Sequence, residues 1–153
     1  MPHSGSFGLL LTVHVVLGVF VIGPLTLITV VTPRLLRLGA GALPILRLCV
    51  RMIRALALAS LLIVVTGLGL VHQGSFGSVR SLGDPWLSGA LVLWVVATGI
   101  SLGMIAPGLA HAVKEIDAGG DTRRRTLPIM GGVAVSTACW ILIIAFMVIK
   151  PGT

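Results

Sequence analysis

The sequence predicts an all-α protein, a bundle of four transmembrane helices forming a single domain over residues 1–153, with N and C termini on the outer side. Three observations predict it. Of the 153 residues, 56% are hydrophobic and 10% charged, against roughly 25% charged in a soluble domain; mean hydropathy is +1.12. A soluble chain of this size must cover its core with polar surface, and this one lacks the side chains to do so. An ordinary soluble enzyme, a disordered chain and a disulfide-stapled secreted module are excluded. Next, charge is missing from residues 1–33, 55–79, 85–113 and 126–149. Each stretch reaches the roughly 20 residues that a helix needs to cross hydrocarbon, where unpaired backbone groups are not tolerated. Last, nine of the eleven cations fall in two of the three loops.

The elements follow in order. The first helix is expected over about 7–31; it has no basic n-region and is too long for the apolar core of a cleavable signal, so it should remain in place. Pro24 should kink it and free the carbonyl of Phe20. The second is expected over 55–72. Arg47, Arg51 and Arg54 precede it at helical spacing, one stripe on a helix that continues into the span. The third, over 86–106, opens at Asp84-Pro85 with Trp86 at the interface, and residues 114–121 should extend as a charged helix ended by Gly119-Gly120. The fourth runs over 127–149, with Leu127-Pro128 opening it as Leu43-Pro44 opens the approach to the second. A weak repeat pairs Pro33 with Pro107, which would set His14 opposite Ser88. Gly99 and Gly103, with small residues on every helix, should let the backbones approach closely.

The first cytoplasmic loop and its flanks carry Arg34, Arg37, Arg47, Arg51 and Arg54. The second carries Lys114, Arg123, Arg124 and Arg125, and only Arg80 and Lys150 lie opposite. By the positive-inside rule both loops are cytoplasmic. Arg47, Arg51, Arg54, Arg123, Arg124 and Arg125 are expected to anchor the protein to anionic lipid headgroups. The net charge of +7 is thus a membrane signal and not one for nucleic acid. Nine arginines against two lysines, with much Ala, Gly, Val and Leu, match a GC-rich bacterial genome, so the expected location is the bacterial plasma membrane.

One side chain inside the membrane carries chemistry. An ionisable residue there is costly and usually faces the bundle interior. His14 stands roughly two turns into the first span, with Gly18 one turn deeper on the same face. Two readings are open. The imidazole can be neutral and hydrogen-bonded across helices, to Thr66 or Thr98. Alternatively it can ligate a haem b, with Gly18 giving the macrocycle room and His72, at the end of the second span, as second ligand. Against that pairing, His72 sits nearer water. Cys49 and Cys139 read as small apolar groups, and Met52, Met104, Met130 and Met147 as core fillers. Paired carboxylates, HExxH, GxSxG and phosphate-binding glycine loops are absent, which points away from an enzyme.

The run Leu11-Thr12-Val13-His14-Val15-Val16-Leu17-Gly18, followed by a basic loop, resembles the first helix of the copper-resistance-D-like membrane proteins. Within that group the chain most resembles an uncharacterised family of four-helix bacterial integral membrane proteins, through Pro85-Trp86-Leu87 and the small residues leading to Pro107 as well. The resemblance covers nearly the whole chain. The wider group includes the membrane-bound, oxygen-independent protoporphyrinogen oxidase, a haem b protein whose functional residues are a histidine in the first helix and a lysine in the third. His14 matches the histidine. The stretch Trp86-Leu87-Ser88-Gly89-Ala90 has no lysine, which puts porphyrinogen oxidation in doubt. Three functions stand: a small polytopic protein of unassigned role, such as an accessory subunit of a membrane complex; a haem b electron-transfer protein using His14; or a homo-oligomeric metal-handling or transport protein, with His14 and His72 as metal ligands.

Overall fold

Backbone groups denied water must bond to one another, and nearly every described residue does so in a helix. The computed structural model describes residues 5–72, 84–120 and 123–149, without the side chains of Arg123 and Arg124. Four helices are long and apolar enough to cross a membrane. We label them α1 (Gly5–Arg37), α2 (Leu43–His72), α3 (Pro85–Asp117) and α4 (Arg123–Ile149). No strand occurs among the described residues.

Three of the helices overrun the expected spans by two turns or more, because hydropathy marks where hydrocarbon ends and not where helical hydrogen bonding ends. α1 passes through Pro33 to Arg37 and stops at Gly39, whose φ of 58° a side chain would strain. α2 begins at Leu43, with Pro44 in its first turn, and carries the arginine stripe as expected. α3 runs on to Asp117 and closes at Gly119 with φ 74°, where Gly119 N–H donates to Ile116 O and Gly120 N–H to Glu115 O. α4 starts at Arg123, so Pro128 lies inside it and does not open it.

The connections of α1–α2 and α3–α4 are short, so each pair is an antiparallel hairpin in which residues equally distant from the turn face each other. His14 thus meets Gly67 and Leu10 meets Gly69; Phe146 packs on Gly89 and Ile129 on Gly108. α3 and α4 form the most extensive seam, and α2 lies against both α1 and α3. Arg34, Arg37, Arg47, Arg51, Arg54, Lys114 and Arg125 gather at one end of the bundle, the loop end. No described Arg or Lys lies at the opposite, terminal end; Arg80 and Lys150 are outside the described residues. Arg47 pairs with Asp117 at 3.0 Å and Arg125 with Glu115 at 2.6 Å, so these two cations tie helix ends together.

In α1 and α3 a single wide π turn, Gly18–Ile22 and Ser101–Ile105, stands just before Pro24 and Pro107. The extra residue absorbs the hydrogen bond each proline cannot make. The identical spacing replaces the expected repeat: Pro24, not Pro33, corresponds to Pro107. That register sets His14 against Ala97 and not Ser88.

The small residues divide differently from expectation. Gly99 and Gly103 are exposed, with open space where a side chain would stand, so they do not form a helix–helix contact. Close approach comes instead at Gly67, Gly69, Gly89, Gly108 and Gly132, and at the fully enclosed Ala97 and Ala106. Several polar side chains inside the bundle are paired, some across helices. Ser60 Oγ donates to Ala57 O at 2.6 Å and accepts from Trp94 Nε1–H at 3.0 Å; Ser101 and Ser136 hydroxyls meet at 3.3 Å across α3 and α4. Ser60→Ala should leave the indole N–H unpaired and destabilise the bundle by about 1 kcal/mol, measurable by unfolding in mixed micelles; Ser101→Ala, whose partner Ser136 keeps the Ala97 carbonyl as acceptor, should cost less.

Candidate functional site

His14 reaches α2 through a cross-helix hydrogen bond: Nδ1 lies 2.9 Å from Thr66 Oγ1. Thr66 is held by the turn below it, its hydroxyl 2.8 Å from Leu62 O and 3.1 Å from Ile63 O. A hydroxyl has one proton to give. Spending it on a backbone carbonyl leaves the oxygen free to accept from His14, so we assign the Nδ1–H tautomer. The remaining nitrogen, Nε2, then carries a lone pair and no partner among the described residues. This is the arrangement of ligating histidines, where one nitrogen is anchored and the other binds. Of the two partners expected for the hydrogen-bonded reading, Thr66 is the one used; Thr98 Oγ1 is buried without a partner.

Gly67 seats the ring. A Cβ there would stand 3.0 Å from His14 Cε1 and 3.6 Å from Nδ1, so the imidazole lies directly on the α2 backbone. Gly18 plays a different part: nothing stands within 4 Å of where its side chain would be. It lines a cleft of about 900 Å³ between α1 and α4, together with His14, Val19, Trp140, Ile144 and Met147. The cleft exists because residues 5–17 of α1 pack on α2, whereas residues 23–37 are held between α2 and α4. Its size lies at the upper end of the roughly 300–1,000 Å³ typical of small-molecule sites. Inside the bundle it borders a smaller cavity of about 50 Å³ lined by His14, Gly67, Leu87, Trp94, Trp140 and Met147.

His14 and Gly18 thus line one cleft, and His72 does not. His72 is exposed at the last turn of α2, five residues beyond Gly67, about 7 Å further along the axis and turned well away from the His14 face. It lines neither cavity that His14 lines. Met147, read from the sequence as a core filler, does line both. Trp140 also lines both, 3% exposed, with its Nε1–H unpartnered. The signal for this grouping was hairpin register: counted from the two turns, positions 14, 67, 87–90 and 147 come to one level.

Among the described residues no three His, Cys, Asp or Glu side chains come together. His14 can offer a metal one bond, so a metal bound through it would bring its remaining ligands along. Of the cations expected to anchor the protein, Arg47, Arg51 and Arg54 are all exposed on α2, Arg125 is exposed on α4, and Arg123 and Arg124 open α4, their side chains outside the described residues. No family model, curated protein or solved structure matches the chain.

Proposed function

We propose that this chain is a multi-pass protein of the bacterial plasma membrane, both termini outward, that binds haem b in the α1–α4 cleft through Nε2 of His14. The observation that carries it is the His14–Thr66 bond, which holds the ring by one nitrogen and leaves the other free beside an apolar cleft. A porphyrin fits what is present: it supplies four ligands of its own, needs no cluster of protein donors, and takes an apolar wall. Gly18 leaves its face open, and the unpartnered Trp140 indole offers a donor. Met147, which lines the same cleft as His14, would be the residue in place of His72 to offer a second ligand atom. When bound, the iron supplies one-electron transfer. Thr66 keeps the imidazole in the binding tautomer, and the apolar lining excludes water. The likeness of the Leu11–Gly18 run to a group that contains a haem b protein points the same way, and the stretch Trp86–Ala90 of α3 holds no lysine for porphyrinogen chemistry.

The test is the visible spectrum of detergent-purified protein expressed with ample haem precursor. The wild type should show a Soret band; His14→Ala should lose it, and Met147→Leu should shift it without abolishing it. Colourless wild-type protein that also fails to take up added haemin would reject the reading and leave the plainer description, an accessory subunit of a membrane complex.

A further inference from the structure

A second cleft lies between the same two helices nearer the loop end. It has a volume of about 500 Å³, and Val30, Arg34, Arg37, Ala134, Thr137 and Ala138 are among its lining residues. Val30 and Ile141 border both this cleft and the larger one above, so the two form one continuous groove. Its upper part is apolar. Its lower end carries two guanidiniums one turn apart on one face.

Neither guanidinium has an acidic partner among the described residues. Asp117 and Glu115 are taken by Arg47 and Arg125, and Asp84 sits at the far end of the bundle. Thr137 Oγ1, on the groove wall, is buried without a hydrogen-bond partner. Two cations without an acidic partner among the described residues, at the mouth of an apolar trough, call for an occupant with an anionic head and a hydrocarbon tail. Above the two cations the lining is apolar: Val30, Val133, Ala134, Ala138 and Ile141.

We propose that this lower cleft is a specific site for an anionic phospholipid, its phosphate held by Arg34 and Arg37 and one acyl chain entering along Val30, Ala134 and Ala138, below the cleft of His14 and Gly18. It is separate from the Arg47–Arg54 stripe, none of whose arginines lines it, and from the stretch around His14 and Gly18 assigned to haem.

The experiment is native mass spectrometry of the full chain from nanodiscs of equal phosphatidylglycerol and phosphatidylcholine. The wild type should retain phosphatidylglycerol over phosphatidylcholine by roughly tenfold or more, since each basic side chain near a headgroup favours the anion several-fold. Arg34→Gln/Arg37→Gln should remove that preference, whereas Arg51→Gln/Arg54→Gln, with the same loss of charge, should keep it. Ala138→Phe, which fills the trough and leaves both cations, should also remove it. Equal retention in the Arg34/Arg37 variant, an equal loss in the Arg51/Arg54 variant, or unchanged retention with Ala138→Phe would each overturn the proposal. So would full displacement of the lipid by inorganic phosphate, which would show a phosphate site without a tail.

Discussion

Gly67→Leu should abolish ligand binding at His14 and destabilise the bundle by about 1–4 kcal/mol. A Cβ at this position already stands 3.0 Å from the imidazole. The further atoms of a leucine have only the ring's own volume to enter. Overpacking of this kind costs about 1–3 kcal/mol, and the displaced ring forfeits its bond to Thr66, about 0.6 kcal/mol on average for an interhelical bond in a membrane and up to about 1.7. The glycine's poor helix propensity returns up to about 1 kcal/mol. Gly18→Leu is the informative partner. Open space surrounds that position, so the variant should unfold like the wild type yet lose haem uptake because the cleft is filled. Mixed-micelle unfolding together with haem titration checks both, and a Gly18→Leu protein that binds haem normally would place the ligand elsewhere.

Gly132→Leu should have the largest effect on stability alone, about 3 kcal/mol or more. Gly132 is where α4 meets the π turn of α3: a side chain there would run into Met104, and Ile100 Cγ2 and Ile105 Cγ1 would each stand 3.3 Å from its Cβ. Met104 can swing aside, but Ile105 is fully enclosed and its backbone belongs to the widened turn. The helices must separate, and the Ser101–Ser136 contact one turn away parts with them. Gly131→Leu, one residue earlier on an exposed face with nothing near it, should be close to neutral. Equal behaviour of the two variants would show that the α3–α4 seam is looser than this packing implies.

The number of helices and their pairing could be read from the sequence, because apolar runs of membrane length have few alternatives. The arginine stripe on the approach to α2 and the glycine stop after α3 were legible too, since both depend on local spacing. Which way each glycine faces was not. In lipid a helix can be apolar all round, so the polar-versus-apolar face that betrays rotation in a soluble helix is missing. That is why Gly99 and Gly103 were read as a contact and turn out exposed, and why Gly67, the true seat of the imidazole, did not stand out from Gly69. The Thr66 partner was one of two candidates, and only the register of the α1–α2 hairpin chooses it. His72 drew attention by its chemistry alone; its angle on α2 takes it out of the site. Met147 had the opposite fate, ordinary by type and decisive by level.

The α1–α4 cleft is walled partly by Val15, Val19, Leu27, Ile144 and Val148, all of which are exposed on the bundle's flank. On the proposed function, a molecule bound there would arrive sideways, having first dissolved in oil. Admission is then governed by partition between water and membrane before any side chain is met: small hydrophilic solutes are filtered out for want of solubility in the surrounding medium, and flat greasy ones are concentrated at the doorway without a steering charge.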